Sequence, residues 1–264
     1  MTIIESILLG IIQGLTEFLP VSSSGHIELG KAIMGVNDVG VDYSILVHVA
    51  TALSTVIVFR KDIYDIFVGL IRAQGVAGLH FPAKLLLSAV PVAVVGLLFE
   101  KEIGQLFEGR IVLVGAMLLI TALLLFLTTR VTVSDREIGY KEALIIGIAQ
   151  MFAIMPGISR SGATIATALL LKVDKAHAAR FSFLMVLIPI FGKALLDIKD
   201  VIEDPSMWSL GLDITLAGFL ASFVAGLLAC TVMLRIVKQG KLSWFSIYCV
   251  IVGLIAIGVG VFGG

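Results

Sequence analysis

Two stretches of an otherwise apolar chain repeat one another 137 positions apart, and each breaks an apolar segment with proline, glycine and serine. The first runs Gly10-Ile-Ile-Gln13, then Glu17, Pro20 and Ser22-Ser23-Ser24-Gly25-His26. The second runs Gly147-Ile-Ala-Gln150, then Pro156-Gly157 and Ser159-Arg160-Ser161-Gly162. At that offset Glu5 falls on Glu142, Gly10 on Gly147, Gln13 on Gln150, Ser22 on Ser159, Ser24 on Ser161 and Gly25 on Gly162. Polar and glycine matches this dense mark a duplication. The surroundings limit what it can be: hydrophobic residues make up 59% and charged residues 14% of the chain, with a mean hydropathy of +1.10, outside the range of soluble domains. Apolar runs at 43–59, 83–99, 111–129, 181–196, 212–234 and 243–262 approach the roughly 20 residues that cross a bilayer as a helix. They do not alternate as the strands of a membrane barrel would. The expected fold is an all-α integral membrane protein with six transmembrane helices plus two re-entrant helical hairpins arranged as inverted-topology repeats.

The charges assign the loops. Thirteen Lys and Arg side chains, including Arg60, Lys61, Arg72, Lys84, Arg130, Arg136, Lys141, Lys172, Lys175, Arg180 and Arg235, fall on one face, and five on the other, with Glu100, Glu102, Glu108, Asp197, Asp200, Glu203 and Asp204 on the poorer face. The basic face is cytoplasmic by the positive-inside rule, which puts both termini outside. Three spans then separate the polar elements, so the second enters the membrane inverted relative to the first, as in many transporters. The repeats are approximately 1–130 and 135–264 of one membrane domain. A net charge of zero excludes a basic nucleic-acid surface. Cys230 and Cys249 lack metal-site spacing and read as core residues. No basic n-region or small-residue cleavage site opens the chain, so residues 1–30 read as mature protein.

Broken helices at membrane depth must lie against protein or water. Pro20 and Pro156 stop a helix, and the following serines are natural N-caps for a returning one. Two helix N-termini facing each other form an anion site; Ser22, Ser24, Ser159, Ser161 and Thr164 add hydroxyls, and Gly25 and Gly162 allow close backbone approach. Arg160 suits phosphate oxygens bidentately, or else pairs internally with Glu17. Gln13 and Glu17, four apart on one helical face, either coordinate a divalent cation or hydrogen-bond to each other. His26 is a candidate acid or base and Ser23 a candidate nucleophile, against structural roles for both. His48 and Thr51 line the cavity or pack between helices. Trp208 and Trp244 fall at span ends as interfacial anchors.

The stretch Gln13-Gly-Leu-Thr-Glu17-Phe-Leu-Pro-Val-Ser-Ser23-Ser-Gly-His26, together with Pro156-Gly-Ile-Ser159-Arg160-Ser-Gly-Ala-Thr164, resembles the two signature motifs of the bacterial undecaprenyl-pyrophosphate phosphatases, also called bacitracin-resistance proteins. The resemblance covers the whole chain. It implies hydrolysis of the lipid carrier pyrophosphate at the outer side of the bacterial cytoplasmic membrane, with a polyprenyl pyrophosphate as substrate and a divalent cation, Mg2+, as cofactor. It places the acidic motif on Gln13 and Glu17, the serine and histidine on Ser23 and His26, and the phosphate-binding arginine on Arg160. Gln13 is the neutral variant of its motif, and Ser44 stands where an acidic residue is common. The choice between Ser23 and water as nucleophile stays open, as does a homodimer. A transporter or flippase using the same anion site is the alternative, since broken helices in inverted repeats are first a transporter architecture. A phosphatidic-acid-type phosphatase is disfavoured because the next histidine after Arg160, His177, lacks the needed aspartate.

Overall fold

The computed structural model describes residues 1–36, 40–71, 76–107, 110–132 and 134–262; Arg72 and Glu108, used above in assigning the loops, lie outside them. The first half contains α1 (Ile3–Phe18), α2 (Ser23–Met34), α3 (Val41–Val58), α4 (Arg60–Ile71), α5 (Val76–Leu98), α6 (Glu100–Gly104) and α7 (Ile111–Thr128). The second contains α8 (Tyr140–Phe152), α9 (Arg160–Leu170), α10 (Lys175–Met185), α11 (Leu187–Glu203), α12 (Leu212–Gln239) and α13 (Ser243–Phe262). Among the described residues there is no strand, only an isolated bridge between Arg136 and Val173. Five helical stretches are long and apolar enough to cross a membrane: Gly78–Leu98, Ile111–Thr128, Lys175–Glu203, Leu212–Gln239 and Ser243–Phe262. A sixth is reached if α3 and α4, bent by 76° at Phe59, count together.

These helices put their smallest residues inward and their large apolar ones outward. On α12, Leu216, Leu220, Val224 and Leu228 are all more than half exposed, whereas Gly218, Ser222, Ala225, Gly226 and Ala229 on the other face are buried. Water would not tolerate that stripe, but hydrocarbon does, and close backbone packing on small residues is how helices associate there. The chain is therefore a multi-pass membrane protein.

The tightest crossings follow the glycines. A Cβ on Gly10 of α1 would lie 2.7 Å from the carbonyl oxygen of Gly218 on α12, and one on Gly147 of α8 would run into the carbonyl of Ser88 on α5. Between α7 and α13 the contact is reciprocal: a Cβ on Gly115 would lie 2.7 Å from Gly253 O, and one on Gly253 would lie 2.9 Å from Gly115 O.

Helix ends follow local chemistry. Thr2 and Glu5 close a capping box at the start of α1, with Glu5 Oε2 accepting from Thr2 N at 2.7 Å. At the matching position, Glu142 Oε2 accepts from Gly139 N at 3.0 Å and its other oxygen from Arg136 at 2.6 Å. Gly35 and Gly240 end α2 and α12 in the left-handed conformation.

Candidate active site

The two polar elements fold alike and meet. Before Pro20, Leu19 is extended (φ −69°, ψ 143°), as a residue preceding proline must be, and α1 stops there. The chain restarts at Ser22, which holds φ 71° although it is not glycine, a conformation that persists only where its surroundings enforce it. Ser22 Oγ accepts from Gly25 N at 3.3 Å and lies 3.3 Å from Ser24 Oγ. In the other element, Gly157 turns at φ 100°, Ser159 Oγ accepts from Gly162 N at 3.0 Å and lies 3.2 Å from Ser161 Oγ. Thr121 on α7 pins this second turn, donating to Gly157 O and accepting from Ser159 N.

Ser161 Oγ reaches across to Leu19 O at 3.2 Å, and Cys249 of α13 backs the first turn through Pro20 O. A Cβ on Gly25 would stand 3.3 Å from Gly157 Cα, and one on Gly162 would stand 3.2 Å from Pro20 Cβ. The space beside Gly25 is bounded by Val114 and Gly157, and that beside Gly162 by Ser159 and Pro20, so both glycines let the turns approach each other, and their amides are spent on caps. The next amides toward each helix start, those of Ser23 and Ser24 and of Arg160 and Ser161, carry no backbone hydrogen bond among the described residues and remain available to an anion.

Glu17 is the centre of the charged groups. Its Oε2 accepts from Ser23 Oγ at 2.6 Å and from Gln13 Nε2 at 3.0 Å, and its Oε1 pairs with the Arg160 guanidinium. Glu17 is 9% exposed, and in so dry a place a carboxylate needs such partners. Both internal pairings weighed from the sequence, Arg160 with Glu17 and Gln13 with Glu17, are thus present. Gln13 Oε1, however, is buried without a partner, as are both amide atoms of Gln150.

The ring nitrogens of His26 are taken up by groups other than Ser23. Its Nδ1 lies 2.8 Å from Ser22 O and its Nε2 2.7 Å from the hydroxyl of Tyr248, on which the ring stacks. A carbonyl oxygen only accepts, so Nδ1 carries the proton and Nε2 accepts from Tyr248. The imidazole therefore bridges the Ser22 carbonyl and the Tyr248 hydroxyl, and Glu17 is the carboxylate in contact with Ser23.

Behind Arg160 and Glu17 lies a cavity lined by Thr51, Thr55, Ser161, Thr164 and Ser182, with Phe18, Phe183, Val186 and Ile190 as apolar walls. Of the two span residues suggested from the sequence, Thr51 lines it. His48 instead bonds back to Ser44 O at 2.7 Å. Thr55, Ser182 and Tyr248 were not singled out from the sequence, where each is one small or aromatic residue inside an apolar run. Tyr248 lies near a span's end, where an aromatic has an alternative reason to be.

Residues 6–255 match the family described as bacitracin resistance protein BacA. The undecaprenyl-diphosphatase of Christiangramia forsetii is 52% identical over 261 residues, covering 97% of this chain and 98% of that protein. That of Parabacteroides distasonis is 47% identical over 261 residues and that of Bacteroides fragilis 45% over 256, each covering 96% of both chains.

Proposed function

The chain belongs to the bacitracin resistance protein BacA family and hydrolyses undecaprenyl pyrophosphate, and from that premise we propose that the reaction runs on Glu17, Ser23 and Arg160 where the two turns meet. The observation that carries this is the pair of contacts on one carboxylate: Ser23 Oγ on Glu17 Oε2 and Arg160 on Glu17 Oε1.

The incoming pyrophosphate competes with Glu17 for Arg160, whose fork then grips phosphate oxygens together with the open amides of both helix starts. Ser22, Ser24, Ser159, Ser161 and Thr164 shape that anion site. Released from Arg160, Glu17 is the stronger base for Ser23 Oγ, or for a water in its place. The oxygen attacks the terminal phosphorus as Glu17 takes its proton, and the bridging P–O bond breaks with its electron pair on the lipid phosphate. Glu17 passes that proton to the departing lipid phosphate, and a phosphoserine formed on Ser23 is then cleaved by a water that the regenerated carboxylate deprotonates, releasing inorganic phosphate. His26, held by Tyr248, keeps the Ser22 turn in its positive-φ form and so fixes where Ser23 points.

The residues present fit a divalent cation as one carboxylate and one carboxamide. Among the described residues no three His, Cys, Asp or Glu side chains gather into a cluster, but the unpartnered Gln13 Oε1 beside Glu17 suits Mg2+, which takes few protein ligands and fills the rest from phosphate and water. When bound there, the ion would neutralise charge on the pyrophosphate.

The same reading extends to the whole chain: six crossings plus two re-entrant hairpins, α1–α2 and α8–α9, related as inverted repeats in the bacterial cytoplasmic membrane, with the site open to the outer face. Matched caps at Ser22 and Ser159 support it. So do matched crossings, since Gly10 and Gly147 lie 137 apart and their partners Ser88 and Gly218 lie 130 apart, the same spacing as Gly96-Leu-Leu and Gly226-Leu-Leu.

Arg160→Ala is the direct test. Phosphate release from the lipid pyrophosphate in detergent should fall by roughly 100-fold or more, the scale expected for losing a transition-state anion donor, with the thermal unfolding transition still present. A folded variant with near-normal release would remove the phosphate-site assignment.

A further inference from the structure

The cavity behind Glu17 and Arg160 contains one hydroxyl that has nothing to do. Serine and threonine inside helices usually spend their proton on a carbonyl of the preceding turn, and the neighbours of Ser182 behave this way. Thr51 donates to His48 O at 2.9 Å, Thr55 to Thr51 O at 3.1 Å and Thr164 to Arg160 O at 2.9 Å, while Ser161 donates to Leu19 O at 3.2 Å. Ser182 on α10 is 3% exposed, yet its Oγ has no partner. A buried hydroxyl left unpaired is costly, and this one lines the same cavity as Arg160 and Glu17.

The backbone beside it is also interrupted. α10 ends at Met185 and α11 starts at Leu187, with Pro189, which has no N–H to donate to Met185 O, in the first turn. The span Lys175–Glu203 runs on through this one-residue turn, and Val186 and Ile190 on either side of Pro189 form the cavity wall.

We infer that Ser182 donates to the terminal phosphate of the substrate and to the inorganic phosphate product, in the space opened at the cavity's Arg160 end once substrate parts Arg160 from Glu17; the inference rests on the phosphate site proposed above. The cavity walls decide which phosphate it takes. Phe18, Phe183, Val186 and Ile190 form its apolar walls, while Arg160, Thr51, Thr55, Thr164 and Ser182 give it a polar lining suited to a free phosphate end rather than to a prenyl chain. Ser23 and His26 are not in its lining, and Ser23 meets Glu17 at the other carboxylate oxygen, Oε2. Ser23 attacks the terminal phosphorus in line with the bridging oxygen, so the lipid phosphate leaves on the side away from Ser23, and the phosphate that is released lies between them, against Arg160 and Ser182.

Product inhibition separates the two ends of the substrate. With the detergent-solubilised full chain, inorganic phosphate and undecaprenyl phosphate are each titrated as inhibitors of hydrolysis for the wild type, Ser182→Ala and Ser182→Cys. Losing a hydrogen bond to a charged group should weaken inhibition by inorganic phosphate about 10-fold or more in Ser182→Ala and leave inhibition by undecaprenyl phosphate unchanged. Ser182→Cys, which keeps a weak donor, should fall between, and it carries the comparison if Ser182→Ala fails to fold in a thermal unfolding scan. Unchanged inhibition by inorganic phosphate in both variants, or equal weakening by both products, overturns the assignment. Arg160→Ala measured alongside distinguishes the levels: if it too leaves inorganic-phosphate inhibition intact, the underlying phosphate site is wrong, whereas an effect at Arg160 without one at Ser182 removes only Ser182.

Discussion

At the scale of single residues, the site is organised by what Glu17 is asked to do twice. Its Oε1 neutralises Arg160 and its Oε2 takes the hydroxyl of Ser23 and the amide of Gln13. Substitution by glutamine keeps the volume but removes the charge and the basicity. Glu17→Gln should therefore slow phosphate release by roughly 100-fold or more, the usual contribution of a positioned base, measured as kcat in detergent with saturating lipid pyrophosphate. An activity loss confined to KM would mean that Glu17 only positions Arg160. Ser23 and Arg160 stand at the same position of the two repeats, 137 apart, and Glu17 matches Ile154. One copy of the duplication thus carries the acid and the hydroxyl, the other the cation, and the carboxylate is what joins them.

At the scale of elements, helix ends were the most legible part of the sequence because their causes are local. Pro20 and Pro156 forbid continuation, and Ser22 and Ser159 cap the returning helices, so the breaks and restarts could be read without knowing any tertiary contact. Asp174 is a plainer case of the same chemistry. Its carboxylate accepts from Ala176 N at 2.8 Å and His177 N at 3.0 Å to start α10. Partial burial acts to raise its pKa, but the amides of His177, Ala176 and Lys175 and the nearby His177 outweigh it, so the group titrates below the usual carboxylate value. A depressed folded pKa contributes stability that is full above the unfolded value of about 3.9 and is lost as pH falls through the lower folded value. Asp174→Ala should lower the thermal midpoint near neutral pH, the cap being worth about 1 kcal/mol. The gap to the wild type should close as the pH drops below about 4; a gap that persists in acid would show that the carboxylate is not its source. Tyr248, Thr55 and Ser182 could not be read locally. They reach the site from α13, α3 and α10 through packing, and no spacing within their own runs distinguishes them from residues that merely touch another helix.

At the scale of the whole molecule, the long apolar helices were legible from run length alone, whereas the arrangement of the halves depends on packing that a run length does not encode. The crossings suggest the reason a duplicated chain would keep its symmetry: α1 packs on α12 of the other half, α8 on α5 of the first, and α7 and α13 meet each other through Gly115 and Gly253. Each of the first helices of the two polar elements thus packs on a long helix from the other half of the chain. If the hairpins enter from opposite faces, their first residues must be reachable from opposite sides of the membrane. The native cysteines, Cys230 and Cys249, are fully buried and give no labelling background. Exposed Ser206, before α12, should react as Ser206→Cys with a membrane-impermeant maleimide in intact cells, and an epitope at the N-terminus should be accessible there too. Gln239→Cys, at the far end of α12, and Asp135→Cys, just before α8, should react only after the membrane is permeabilised. The opposite pattern at all four positions would reverse the orientation and keep the inverted repeat. Asp135→Cys reacting from the same side as the N-terminus would end the inverted arrangement itself, since both hairpins would then enter from one face and their N-terminal ends could not oppose each other across the pyrophosphate.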